Sequence, residues 1–117
     1  MADPVEFVLE AGGFFVPLSQ VRQEVYRPLL RGVMLELWRR LGDDLVSLVL
    51  FGSLARGSAK AGSDVDLLVV AENLAPSMSE RMRAFTEMEK SVVGLELRLW
   101  REHGVYASVQ FYPLSKG

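Results

Sequence analysis

The amino-acid sequence predicts an α/β (α+β) domain, a small mixed β-sheet with helices packed mainly on one side. Three observations predict it. Two nearly continuous apolar runs, LVSLVLF (Leu45 to Phe51) and VDLLVV (Val65 to Val70), read as buried strands. Helix-period apolar stripes precede the first run and follow the second. A last segment, Val105 to Tyr112, alternates apolar and polar residues, as a strand with one polar face does. The order helix, strand, short turn, strand, helix, strand suits a sheet covered on one side.

Residues 1–18 form an N-terminal arm or hairpin, set before a domain over 19–117. Val5, Phe7 and Leu9 alternate, Gly12-Gly13 punctuates, and Phe14-Phe15-Val16 follows. From Ser19 the period becomes helical: Val21, Leu29, Leu30, Val33, Leu37, Trp38 and Leu41 share a face. Pro28 lacks a donor and clashes with a preceding turn. It either opens a second helix at its first position or kinks a single one. Gly42 suits the helix stop, with Asp43-Asp44 in the turn. Ser77 and Glu80 make a capping-box pattern. Phe85, Met88, Val92, Leu95 and Leu99 continue as one helix to about Arg101, with Gly104 as its stop. Gly94 and the alternation of Leu95, Leu97 and Leu99 weaken the second half of that helix, which fits a strand as the alternative. Pro113 is expected to end the last strand.

Composition narrows the function classes. The chain has 117 residues and a formal charge of −2, which is one domain without a basic block for coating nucleic acid. A nucleotide ligand needs only local positive charge and stays open. Cysteine is absent, which removes disulfides, thiolate zinc sites and thiol nucleophiles. The opening MADPVEFVLE is acidic and unlike a signal peptide, and no apolar run is long enough to span a membrane, so a cytoplasmic protein is expected. Arginine outnumbers lysine ten to three, which suits either a thermophile or a GC-rich genome.

The chemistry sits between the two buried strands, in FGSLARGSAKAGSDVD. Gly52 lets a ligand approach the backbone. Ser53 suits the N-cap of a short helix through Ala55 and Arg56, whose amides and guanidinium fit phosphate oxygens. Strand alternation places Asp64 and Asp66 on one side, with Val65, Leu67 and Val69 on the other. A like-charged pair stays ionised more readily with a divalent cation between its members, and Mg²⁺ prefers a few carboxylates plus substrate phosphates. Such a layout fits metal-assisted phosphoryl or nucleotidyl transfer.

Gly52-Ser53, ten residues, then Asp64-Val65-Asp66, with Arg56-Gly57 and Ser63 between, resembles the signature of the DNA polymerase β-type nucleotidyltransferase superfamily. The closest resemblance is to its minimal nucleotidyltransferases, and it is specific across Leu45 to Val70. It implies that Gly52, Ser53, Arg56 and Gly57 hold nucleotide phosphates. Asp64 and Asp66 would bind catalytic Mg²⁺, and Ser63 would cap and brace them. The implied reaction moves a nucleoside monophosphate from ATP or another NTP to a hydroxyl, with AMP from ATP the favoured case. The family's third carboxylate comes from a later strand; here Val105 to Tyr112 offers only Ser108 and Gln110. Glu96 and Glu102 on the preceding helix and Glu72 after the second strand are other acids, but no spacing argues for any of them. The chain ends just after this strand, where related proteins often continue, so the resemblance implies a truncated piece or a group lent by a partner. It also implies an alternative, a catalytically weak nucleotide-binding antitoxin paired with a small helical HEPN-type protein. A homodimer through the N-terminal arm is a third reading.

Other residues read more plainly. His103 suits a surface position near a helix end. Trp38 and Trp100 fit core or interface positions, and Arg39-Arg40 a solvated helix end. Tyr106 and Tyr112 lie on the polar face of the last strand with Gln110.

Overall fold

A computed structural model describes residues 5–9, 15–16 and 18–116. Five strands, β1 (Val5–Leu9), β2 (Phe15–Val16), β3 (Leu45–Phe51), β4 (Asp64–Ala71) and β5 (Ser108–Ser115), form one sheet in the order β2-β1-β3-β4-β5. Among the described residues three α-helices, α1 (Arg27–Leu41), α2 (Met78–Ser91) and α3 (Val93–His103), join the sheet. β4 and β5 are parallel and the other neighbours antiparallel, so the sheet is mixed, as expected. The parallel pair needs a crossover connection, and α2 and α3 supply it. The pairing of β1 with β2 and β3 makes the N-terminal segment part of the sheet. Residues 1–4, 10–14 and 17 of that segment lie outside the described residues.

One face of the sheet is core. Leu48 and Leu50 of β3, Val65, Leu67 and Val69 of β4, and Val109 and Phe111 of β5 are buried there with Leu30, Met34 and Leu37 of α1. Full burial of a side chain this size contributes about 1.5–3 kcal/mol. The opposite face carries Asp64, Asp66, Leu68 and Val70 of β4, none of them fully buried.

Pro28 sits in the first turn of α1, after a separate 3₁₀ turn over Glu24–Tyr26, so the helix begins there rather than kinking. Gly42 and Gly104 stop α1 and α3 with positive φ. Ser77 caps α2, its hydroxyl accepting from the Glu80 amide at 3.3 Å. Trp38 and Trp100 are exposed, so neither is a core residue.

Two expectations are corrected. The helix after Ser77 is two helices, broken at buried Val92. The Val92 amide ends α2 on Glu89, and its carbonyl accepts from Leu95 and Glu96 to begin α3. The apolar stripe runs through the break because both helices bury it. The break brings Leu95 against Gly32 of α1, where a Cβ would meet the Leu95 methyls at 2.8 Å.

Pro113 does not end β5, which begins later than Val105 and continues to Ser115. β5 is an edge strand, and alternate amides face away from β4. Val109 donates to Glu96 Oε2 at 2.6 Å and Phe111 to Glu89 Oε2 at 2.9 Å. Residue 113 is next in that alternation, so a proline costs no ladder bond.

These carboxylate caps should be measurable. Glu96→Ala leaves the Val109 amide without its acceptor and should cost about 1–3 kcal/mol in urea unfolding. Glu96→Gln keeps an acceptor and should cost less than half as much. Equal losses for the two variants would show that the cap contributes nothing.

Candidate active site

The turn after β3 is a single helical turn that runs from Ser53 through Ala55 and Arg56 to Gly57. Gly52 O accepts from Arg56 N at 3.2 Å. Ser58 N then donates to Ser53 O at 2.9 Å and Gly57 N to Leu54 O at 3.0 Å, with Gly57 at φ +76°. This is a Schellman closure, so helix ending follows at once on helix beginning. Buried Leu54 anchors the turn in the core.

Gly52 has φ +80°, and a Cβ there would stand 2.7 Å from Asp66 Oδ2. Only glycine satisfies both the backbone and the carboxylate beside it. The register pairs Phe51 with Asp66, so the end of β3 delivers the turn to the start of β4. Asp64 is exposed and Asp66 half-buried, on the face opposite the core. Tyr112 donates a long bond to Asp66 Oδ1 at 3.4 Å, and its ring lies 5.4 Å from that of Phe51, tilted by 55°.

Burial, and then the charge of Asp64, raise the Asp66 carboxyl above its ordinary range, while the Tyr112 bond opposes them. The Tyr112 phenol is raised in turn, first by the charge of Asp66. Among the described residues, neither aspartate forms an ion pair. Two hard-oxygen ligands on one strand face without a counter-charge fit a divalent cation. Among the described residues no three His, Cys, Asp or Glu side chains cluster to hold a metal. Mg²⁺ fits this sparse set, because it takes few carboxylates and completes its shell with water and phosphate.

Ser108 and Gln110 pair in register with Asp64 and Asp66, and Gln110 Nε2 donates to Ser108 Oγ at 3.0 Å. Arg56 is exposed on the turn. Ser63 closes the next turn, its hydroxyl accepting from Lys60 N at 2.8 Å just before Asp64. The other acids are placed elsewhere. Glu96 holds the β5 amide, Glu102 lies 3.8 Å from Arg98 on α3, and Glu72 is exposed beyond β4. His103 is exposed and lines a cavity of about 40 Å³ between α1 and α3. Another, of about 80 Å³, lies beside Trp100 and Tyr106. Neither is lined by Asp64 or Asp66, which stand on the sheet face. The sequence places Tyr112 only on the polar face of the last strand; its hydroxyl reaches Asp66 because β5 lies parallel beside β4. No helix among the described residues is long and apolar enough to cross a membrane.

The raised Asp66 carboxyl sets a pH dependence. The folded state holds this proton more tightly than the unfolded chain, so stability falls as pH rises above the ordinary carboxylate range. With metal removed by a chelator, Asp66→Asn should melt roughly 2–5 °C above wild type at pH 7. The gap should close near pH 3, and a pH-independent gap in thermal melts would contradict this origin.

Comparison with known proteins agrees with the geometry. A Methanocaldococcus jannaschii protein named "Putative protein adenylyltransferase" is 48% identical over 50 residues, which are 43% of this chain and 34% of that protein. The chain therefore matches about a third of the length of that curated relative. No solved structure matches the chain. Residues 30–113 match the nucleotidyltransferase domain family, and that stretch contains the turn, both aspartates and the strand beside them. The chain belongs to the nucleotidyltransferase domain family.

Proposed function

We propose that this protein transfers AMP from ATP to a hydroxyl acceptor with the help of Mg²⁺. One observation carries the reading: Asp64 and Asp66 share a strand face, and Asp66 touches a turn whose glycine leaves no side chain in the way. The name of the Methanocaldococcus relative supports adenylyl as the group moved. Asp64 and Asp66 would hold Mg²⁺, and Gly52, Ser53 and Arg56 would receive the phosphates. When bound, the cation supplies positive charge to the reacting phosphate oxygens.

In the reaction the acceptor oxygen forms a bond to the α-phosphorus. The bond from that phosphorus to the α–β bridging oxygen breaks, and pyrophosphate leaves with the electron pair. The acceptor proton passes to water, since Gln110 beside Asp66 is no base at neutral pH. Asp64 and Asp66 would fix the cation that the phosphate meets, and the backbone at Gly52 keeps the approach open.

Gln110 also favours a second reading, a nucleotide-binding antitoxin or regulatory partner of a small helical HEPN-type protein, with little catalysis of its own. Calorimetry with ATP separates these from no nucleotide function at all. Wild type should bind ATP only with Mg²⁺, and Asp64→Asn with Asp66→Asn should abolish that binding. Absence of Mg²⁺-dependent binding by wild type would sink both readings. Gln110→Asp adds a carboxylate beside Asp66 and should raise transfer from α-labelled ATP on the order of tenfold or more. Binding without transfer in both wild type and Gln110→Asp would favour the regulatory reading.

A further inference from the structure

The segment before α1 is fastened to the far end of the turn. Gln23 reaches Ala59 with both ends of its amide: Nε2 donates to Ala59 O at 2.9 Å and Oε1 accepts from Ala59 N at 2.8 Å. Buried Val21 and Tyr26 anchor the segment on either side, and Arg27 Nε donates to Val21 O at 2.9 Å. Between these anchors the stem of Arg22 lies across Gly57. A Cβ on Gly57 would stand 3.2 Å from Arg22 Cδ and 3.5 Å from Arg22 Cβ.

The turn thus carries an acid against its first glycine and a base against its last. Both glycines have positive φ, and both leave room for a charged side chain to come close. Arg22 is exposed and, among the described residues, forms no ion pair. The same holds for Arg56, beside Gly57, and Lys60, beside Ala59. The fold pins the stem of Arg22 without using its charge. Carboxylates without cations at one end and cations without carboxylates at the other match a metal-chelated polyphosphate. Its metal end needs the acids, and its terminal phosphates need fixed donors.

We propose that Arg22 is a further substrate-binding residue, which grips the two phosphates that leave as pyrophosphate. This rests on the nucleotidyltransferase reading above. Lys60 and Arg56 share the charge, but only Arg22 comes from outside the turn. Arg22 therefore joins the segment before α1 to the leaving group.

Calorimetry of the full chain tests this with MgATP, magnesium pyrophosphate and AMP. Arg22→Ala should weaken MgATP and pyrophosphate about tenfold and leave AMP within about twofold. Arg22→Met keeps a long stem over Gly57 and removes the charge, so it should match Arg22→Ala. Arg22→Lys should recover part of the affinity. Arg83→Ala, at an exposed arginine of α2, should change none of the three. MgATP and pyrophosphate affinities unchanged in Arg22→Met would overturn the proposal while the nucleotide site stands. An equal loss of AMP would also overturn it, by showing a turn that has collapsed. No binding by wild type would remove the nucleotide reading and this proposal together.

Discussion

The close approach of Asp66 to Gly52 is the constraint on which the candidate site depends. With 2.7 Å between Oδ2 and the place of a missing Cβ, position 52 can hold no side chain. That contact joins the end of β3 to the start of β4. It also brings a carboxylate to a turn whose own amides are positively polarised. The turn stays short because Gly57 closes it after one winding. A longer helix would add residues between the acid and the exposed cations. The two glycines therefore set how far apart opposite charges stand.

Stability and chemistry pull in opposite directions here. Asp66 is partly buried, beside a second carboxylate, and its counter-charge is missing among the described residues. Tyr112 offers only one long hydrogen bond. Proteins commonly accept such local strain where a ligand will relieve it. The rest of the sheet supplies the support. Antiparallel pairing with β3 and parallel pairing with β5 hold β4 on both sides, and Val65, Leu67 and Val69 are buried beneath.

Much of the fold was readable in the sequence because its signals are local. The runs at Leu45 and Val65, the cap at Ser77 and the stops at Gly42 and Gly104 each depend on a few neighbouring residues. The spacing of Gly52, Asp64 and Asp66 was readable for the same reason. The break at Val92 was not, because an apolar stripe keeps its period when both helices bury it. The passage of β5 through Pro113 was hidden too, since only strand order reveals which amides face outward. Tyr112 and Gln23 are the long-range cases. One acts across 46 residues and the other across 36, and neither leaves a mark on its own neighbourhood.

The glutamate caps on β5 have a consequence for assembly. A strand from another chain laid along this edge would find the amides of Val109 and Phe111 already taken and none at Pro113. Strand addition, a common route to both recognition and aggregation, is therefore blocked along that stretch. At Val109, Phe111 and Pro113 the edge nearest the aspartates offers a neighbour no free amide. A polypeptide laid along that stretch would have to be held through side chains and surface shape, and it could leave without unzipping a ladder.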